Sequence, residues 1–180
     1  MRSVTRSAGR ETVFQQANLT FTSEKPTVLL GLSLAGRKAA LRIISGADRP
    51  EAGAIFVNGV DRQRGKDVAR FAWIGREGIA SSGRSVGKVL RAAAASKSGD
   101  GDLARLAGRV GLAGKLDVRT RDLDPESRVR LAIGCAMAAR HPLMLLDAPF
   151  QDLPAEARAS LLADLPGMLA DAGAVIVLAA

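Results

Sequence analysis

The most informative stretch of this sequence is Pro142-Leu143-Met144-Leu145-Leu146-Asp147-Ala148-Pro149. Its apolar run, ended by one carboxylate, is typical of a buried parallel strand, because a strand covered on both faces is apolar throughout. Parallel strands are joined by helical crossovers, so the stretch predicts an α/β architecture. An Asp at the carboxyl end of such a strand can hold the Mg²⁺ of a phosphate site, which makes Asp147 the candidate metal ligand.

The patterns around this strand predict the same architecture. Extended patterns cover residues 13–21, 27–32, 54–57, 71–74, 143–146 and 174–178. Helical patterns cover residues 37–44, 85–95, 102–110, 126–139 and 154–169. We therefore expect a parallel core sheet with N-terminal antiparallel strands, helices on both faces and a helical subdomain inserted at about residues 78–140.

Length and composition set the broad class of the protein. With 180 residues, 47% of them apolar, the chain is long enough for one globular domain that buries roughly 70% of its unfolded surface. Cys135 is the single cysteine and cannot form an internal disulfide, which favours a reducing compartment. The sequence has neither a secretory signal pattern nor an apolar run near 18 residues. We expect a cytoplasmic protein that reaches the inner face of the membrane only through a partner.

The net charge of +8 raises the possibility of nucleic-acid binding. The arginines are scattered rather than clustered on one helix, however, and aromatic residues make up only 3% of the chain, with no Tyr. Single-strand binders stack bases on aromatic rings. We therefore expect no nucleic acid among the partners, and an acidic protein partner would account for the charge equally well.

A glycine loop joins the strand at residues 27–32 to the next helix. Its sequence is Gly31-Leu32-Ser33-Leu34-Ala35-Gly36-Arg37-Lys38-Ala39. A strand, a glycine loop and a helix in this order are typical of a phosphate-binding loop, in which backbone N–H groups and a helix N-terminus hold the anion. The spacing of two glycines is weak evidence alone. The candidate nucleotide-binding residues are Gly31, Ser33, Ala35, Gly36, Arg37, Lys38 and Ala39.

At this point the chain resembles the nucleotide-binding subunits of ABC transporters, particularly those of sugar and glycerol uptake. The resemblance runs from Val4 to the last residue, and we expect no C-terminal regulatory domain. It implies a P-loop NTPase-like fold, ATP with Mg²⁺ as cofactor, and as partners a membrane subunit and a second nucleotide-binding subunit in a homo- or heterodimer. The matching pieces are Val4-Thr5-Arg6, the strand into Gly31, Ile43-Ile44-Ser45-Gly46, Gly53-Ala54-Ile55, Val57-Asn58-Gly59, the helix at residues 128–140, Leu145-Leu146-Asp147 and Pro149.

The chain departs from this family's pattern at the phosphate loop. The family has Lys and then Ser or Thr where this chain has Arg37 and Lys38. An arginine is not equivalent to a lysine at such a site, and Lys38 removes the hydroxyl that would bind Mg²⁺. Leu34 replaces a loop glycine, which would be strained if that position required a positive φ. Both Arg37 and Lys38 are either residual anion ligands or ordinary first-turn surface residues.

Other family positions are substituted as well. Ala148 stands where the family has its catalytic Glu, and Ala8 where an aromatic residue stacks on adenine. Arg76 replaces the Gln that senses Mg²⁺, and Ala180 falls at the γ-phosphate-sensing His. Asp147 remains, either as a Mg²⁺ ligand or as a cap at the end of a buried strand. We expect no catalytic residue to be present.

The family's signature motif aligns with Leu123-Asp124-Pro125-Glu126-Ser127. Pro125 has no N–H for a phosphate, and the flanking acids oppose an anion. The same residues form a good helix start, with Asp124 as N-cap and Pro at the first helical position. Pro154 similarly replaces an Asp of the loop that pairs cassettes and predicts another helix start. We expect His141 to cap a helix C-terminus, and Trp73, Met137 and Met144 to be core residues.

Three functions remain open from the sequence. The first and preferred one is a degenerate, non-catalytic cassette that acts by association with a partner cassette or a membrane subunit of an uptake system. The second is a working ATP-hydrolysing transporter subunit. The third is a non-transport interaction or nucleic-acid-binding module on the same fold. The substitutions lead us to expect that ATP and Mg²⁺ bind weakly if at all. A basic face between Arg76 and Gly101, with Arg76, Arg84, Lys88 and Arg91, is either a solvated surface over a buried apolar stripe or the place where a helix of the membrane subunit docks.

Overall fold

The structure is a computed structural model that describes residues 1–24, 26–57, 60–61, 70–75, 82–94, 99–170, 172 and 174–179. The chain divides into two compact units. The sheet unit consists of Met1–Trp73, Pro142–Asp147 and Ala174–Ala180. The helical unit consists of Ile74–His141 and Ala148–Gly173.

The first unit contains an antiparallel and a largely parallel sheet. Its elements in chain order are β1 (Arg2–Ala8), β2 (Glu11–Ala17), β3 (Thr27–Leu29), α1 (Leu34–Ser45), β4 (Ala52–Ala54), β5 (Phe56–Val57), β6 (Val60–Asp61), β7 (Phe71–Ile74), β8 (Leu143–Asp147) and β9 (Val175–Ala179). The antiparallel sheet has the order β2-β1-β4, and the four-stranded sheet has the order β3-β9-β8-β7, in which β8 and β3 each pair in parallel with β9. A short antiparallel pair, β5 and β6, completes the strands of the described residues.

Helix α1 packs against both sheets of this unit and thereby fixes the position of the glycine loop at its start. Its residues Leu41 and Ile43 are fully buried and belong to the same apolar cluster as Val4 of β1 and Leu145 of β8. Each such side chain contributes about 1.5–3 kcal/mol when buried, so the cluster anchors the helix firmly. The N-terminus of α1 is therefore held close to the carboxyl end of β8.

The second unit is built from helices. They are α2 (Val86–Ala93), α3 (Asp100–Arg109), a 3₁₀ turn (Thr120–Asp122), α4 (Pro125–Ala138) and α5 (Ala155–Leu169). Helix α4 is central, because α2, α3 and α5 all contact it. Gly134 of α4 permits this packing: a Cβ there would lie 3.2 Å from Leu90 and 3.3 Å from Val110.

The expected α/β fold, with a parallel sheet and N-terminal antiparallel strands, is confirmed, and the bounds of several elements differ. Strand β3 ends at Leu29 rather than at residue 32, because Gly31 turns the chain with a φ of 81°. Helix α1 begins three residues earlier than expected because Ser33 caps it. Strand β1 was not among the expected strands, since its alternation of polar residues gives no apolar face.

Two of the expected core residues differ from the prediction. Trp73 is 39% exposed, so its assignment to the core was wrong. Met137 is only half-buried, whereas Met144 of β8 is 1% exposed and lies in the core as expected. Trp73 and Met144 differ because Trp73 lies in β7, an edge strand of the described sheet, whereas Met144 lies in β8, which is flanked by β9 and β7.

Candidate functional site

The glycine loop adopts a well-defined helix start. Ser33 is the N-cap of α1, and its Oγ accepts a hydrogen bond from the Gly36 N–H at 3.0 Å. Leu34 is the first helical residue and is not among the residues with positive φ, so the strain considered for a loop glycine replacement does not arise. Its side chain is 55% exposed. The loop therefore leads into a helix N-terminus that is capped by its own serine.

The carboxylate of Glu11 occupies this helix N-terminus. Glu11 is the first residue of β2, and its Oε1 accepts a hydrogen bond from the Ser33 N–H at 3.1 Å. Its Oε2 accepts a short hydrogen bond from the Ser33 hydroxyl. The hydroxyl bond, followed by the Ser33 N–H bond, lowers the pKa of the Glu11 carboxyl, so the group is anionic at neutral pH.

Arg37 and Asp147 form a buried ion pair. Arg37 Nε lies 2.7 Å from Asp147 Oδ1, and both side chains are about one-tenth exposed. Arg37 is thus not a surface residue, which corrects one of its two interpretations from the sequence, and its Nε is engaged by Asp147. Asp147 ends β8 as expected, but the carboxylate that would face Mg²⁺ faces a guanidinium instead.

The remaining loop residues have separate roles. Gly31 turns the chain and is exposed, and Ala35 is exposed on the first turn of α1. Lys38, in the second turn of α1, is also exposed, whereas Ala39 is buried in the apolar core. Of the basic pair in the loop, only Lys38 presents its side chain to solvent.

Ala148 follows the buried Asp147 with an unusual backbone conformation. Its φ is 44°, in the left-handed region, and the residue is 6% exposed. A non-glycine residue in this region costs about 1 kcal/mol or more, so the surrounding structure holds it there. The side chain at this position is a methyl group, which can neither accept a proton nor orient a water molecule.

The start of α4 is the helix start that the sequence predicts. Asp124 is the N-cap, and its carboxylate accepts hydrogen bonds from the Ser127 N–H and hydroxyl, each at 2.8 Å. Lys115 Nζ lies 2.8 Å from the Ser127 Oγ and 3.3 Å from Asp124. Burial raises the pKa of Asp124, but the Ser127 and Lys115 contacts outweigh it and the net shift is downward. The N-terminus of α4 is therefore satisfied internally.

A surface cavity of about 350 Å³ opens beside this helix start. Its cations are engaged by its own acids: Arg130 donates to Glu126 at 2.8 Å and to Asp164 at 2.6 Å. The arginine is 6% exposed; its bond to Asp164 ties α4 to α5, and its bond to the Val110 carbonyl ties α4 to the end of α3. Among the described residues that line the cavity, each positive charge is therefore paired with an acid.

Two further residues of the helical unit, Cys135 and His141, carry side chains that could take part in chemistry. Burial raises the pKa of the Cys135 thiol to about 12, so this cysteine is not a reactive nucleophile at neutral pH. His141 takes part in the C-terminal cap of α4 through its backbone N–H, which donates to the Ala136 carbonyl. Its Nδ1 is buried without a hydrogen-bond partner in the described part of the chain.

The fit of Mg²⁺ and a nucleotide to these residues can be judged from the contacts. A metal at Asp147 would have to replace Arg37, and a phosphate at the loop would have to replace Glu11. No cluster of three or more His, Cys, Asp or Glu residues that could hold a metal is found in the described residues. The arrangement does not fit a Mg²⁺–nucleotide complex. The positions of Arg76 and Ala180 lie outside the described residues.

Glu11 is the site residue that sequence reasoning missed. Glu11 and Ser33 are 22 positions apart in the sequence, so no local sequence pattern predicts their contact. The signal available in the sequence is indirect: α1 has no acidic residue in its first turn, so its N-terminus needs a negative group from elsewhere.

Comparison with known proteins gives a consistent result. A family model described as "ABC transporter" matches residues 14–151. A thiamine import ATP-binding protein of Mesorhizobium japonicum is 28% identical over 89% of this chain and 66% of its own length. A spermidine/putrescine import ATP-binding protein of Pseudomonas aeruginosa is 30% identical over 98% of this chain and 50% of its own. The chain thus spans between about half and two-thirds of the length of these relatives.

Solved structures show the same fold. A putative ABC transporter ATP-binding protein from Pyrococcus furiosus superposes with a TM-score of 0.81 at 17% identity, over 99% of this chain and 88% of that one. A cbiO1 protein from Clostridium perfringens superposes with a TM-score of 0.79 at 17% identity, over 99% and 76%. Among the helices that the structure describes, none has the length and apolar character needed to cross a bilayer.

Proposed function

This chain belongs to the ABC transporter family, and from that premise we propose that it is the ATP-binding-type subunit of an import system that has lost hydrolysis. In this proposal the chain acts by associating with a membrane subunit and with a second cassette. Relatives named as import ATP-binding proteins support the transport part. The loss of hydrolysis rests on this chain's own residues.

The Arg37–Asp147 ion pair is the observation that carries the proposal. Phosphoryl transfer needs a positioned phosphate, a metal and an oriented water molecule at the same time. The pair removes the carboxylate that would hold the metal, and Ala148 offers no base beside it. Each loss of this kind in an intact site lowers the rate by orders of magnitude.

A working ATPase is the second candidate, and the family match is what favours it. For that function Arg37 would have to move away from Asp147. The Asp147 carboxylate would then be without its partner in a site that is about nine-tenths buried. Breaking a buried pair costs about 3–5 kcal/mol, so a competent site would be a rare state of this chain. An interaction module on the same fold has no specific observation in its favour.

The partner surface proposed for a membrane subunit is the face around α2. Its stripe of Val86 and Leu90 is fully buried against the helical unit, whereas Arg84 and Lys88 are exposed. Arg91 pairs with Asp100. An exposed cationic face of this kind suits an acidic segment of a partner, through contacts that steer association and weaken with salt.

We expect no phosphate release from ATP by the purified chain above that of a heat-inactivated sample. The reason is the missing base at Ala148 and the engaged Asp147. A continuous phosphate assay at saturating Mg²⁺–ATP checks this, with the Asp147→Ala variant as the matched control for contaminating ATPase. Release that is linear in enzyme and disappears in the variant would contradict the proposal.

The association half of the proposal has its own test. Co-purification with a membrane subunit from detergent extracts should be lost when Arg84 and Lys88 are both changed to Glu, with an unchanged melting temperature. If the double variant co-purifies with the membrane subunit as well as the natural chain does, α2 is not the docking face. The narrower hypothesis of a sugar or glycerol cargo rests on the sequence resemblance, and growth of a deletion strain on these carbon sources tests it.

A further inference from the structure

Two side chains of opposite charge from the chain itself occupy the loop site. One lies at the N-terminus of α1 and the other lies against Asp147. An anion, the Glu11 carboxylate, lies at the N-terminus of α1, where the family's loop holds a phosphate. A cation, the Arg37 guanidinium, lies on Asp147, where the family holds its metal. The two internal groups thus carry the charges that an external phosphate and metal would bring.

The fit of Glu11 to the loop is close. Its two carboxylate oxygens bind the N–H and the hydroxyl of Ser33. A Cβ on Gly36 would lie 2.5 Å from Glu11 Oε1, so the carboxylate rests directly on the glycine backbone. A glycine that lets an anion approach the backbone this closely is the feature that defines a phosphate loop.

Electrostatics favour an anion at this place. The N-terminus of α1 carries the positive end of the helix dipole and has no acidic residue in its first turn. Glu11 supplies the missing charge from the neighbouring strand β2. The Ser33 hydroxyl donates to the carboxylate and accepts from the Gly36 N–H, so Glu11 also helps to orient the cap.

We propose that the Glu11 carboxylate competes with external anions for the loop at residues 31–36 and thereby sets the affinity of this loop for phosphate groups. The inference rests on the assignment of the loop to the nucleotide site in the proposed function and deepens it by naming what controls ligand entry. Glu11 is half-exposed, so it regains water when it is displaced. A phosphate group must displace it to reach the same backbone groups.

The test is a calorimetric titration of inorganic pyrophosphate, in EDTA, into the natural chain and into Glu11→Gln. Glutamine keeps the shape of the side chain and one acceptor oxygen but removes the charge. We expect the variant to bind pyrophosphate roughly tenfold or more tightly, since a like charge at contact distance is removed. Glu11→Ala should tighten binding too, and the amide resonances of Ser33 and Gly36 should shift on addition of the anion.

Glu51→Gln is the matched control. Glu51 makes the same pair of contacts, accepting from the Ser7 N–H at 2.9 Å and the Ser7 hydroxyl at 3.3 Å, and its substitution changes the net charge equally. Its pyrophosphate affinity should stay within twofold of that of the natural chain.

Two outcomes would contradict competition between Glu11 and external anions. In the first, both Glu11 variants bind pyrophosphate with the affinity of the natural chain. In the second, Glu51→Gln gains as much pyrophosphate affinity as Glu11→Gln, which would show that net charge alone causes the effect. Loss of the proposed function is a different result: phosphate release by the natural chain would contradict the loss of hydrolysis whatever the pyrophosphate titrations give.

Discussion

At the residue scale, the site is decided by pairs of side chains that are far apart in the sequence. Asp124 and Ser127 are three positions apart, and their cap follows from local chemistry that the sequence shows. Arg37 and Asp147 are 110 positions apart, so neither local patterning nor charge indicates that the arginine is buried. The sequence therefore indicated the loop and its charged residues as candidates, but not the partners that these residues have in the structure.

The ion pair gives a prediction at this scale. Arg37→Ala and Asp147→Ala should each destabilise the chain by about 3–5 kcal/mol, because each leaves a buried charge without its partner. The double variant should be destabilised by less than the sum of the two, with a coupling of at least about 1 kcal/mol. Denaturant unfolding of the four proteins measures this.

The exposed pair Arg91 and Asp100 is the control for this double-mutant cycle of Arg37 and Asp147. Their side chains are 60% and 91% exposed, so the same cycle of alanine substitutions should give a coupling below about 1 kcal/mol. A buried pair that couples no more strongly than this exposed one would show that Arg37 is not held on Asp147 in solution.

At the element scale, the helix starts marked by an acidic N-cap or a proline were predictable, whereas the start of α1 and the strand ends were less so. Caps and prolines are local signals, and α4 begins at Pro125 and α5 at Ala155, each within a residue of the prediction. Strand ends depend on where the partner strand ends: β2 stops at Ala17 because the register pairs it with Val4 near the start of β1. Such an end has no signal in the sequence of the strand itself.

The C-terminus of α4 provides the prediction at this scale. Arg140 has a φ of 51° and follows the C-cap Ala139, while its N–H donates to the Met137 carbonyl and that of His141 to the Ala136 carbonyl. Glycine is favoured at such a position. Arg140→Gly should be more stable than Arg140→Ala by about 1 kcal/mol, since both lose the charge and only glycine relieves the positive φ.

Thermal unfolding of the two Arg140 variants measures this difference. For a chain of this size it corresponds to about 2–4 °C in melting temperature. Equal melting temperatures would contradict the left-handed conformation of Arg140, and with it the cap that ends α4 before β8.

At the scale of the whole molecule, family membership and chemistry have to be argued separately. The fold follows from the pattern of apolar strands and helices, to which Arg37, Lys38 and Ala148 contribute little. The proposed loss of hydrolysis depends instead on a few side chains, and among the described ones Arg37 is paired with Asp147 and Ser33 with Glu11. Under the proposed function, the family fold serves as a scaffold for partners.

Calorimetric titration of ATP with and without Mg²⁺ is the direct test of whether Asp147 is engaged by Arg37. With Arg37 on Asp147 and no hydroxyl at Lys38, we expect ATP to bind weakly, with the same affinity in Mg²⁺ as in EDTA, and GTP to bind equally well. Micromolar binding that requires Mg²⁺ and prefers ATP over GTP would contradict it, because such binding needs Asp147 to face a metal instead of Arg37.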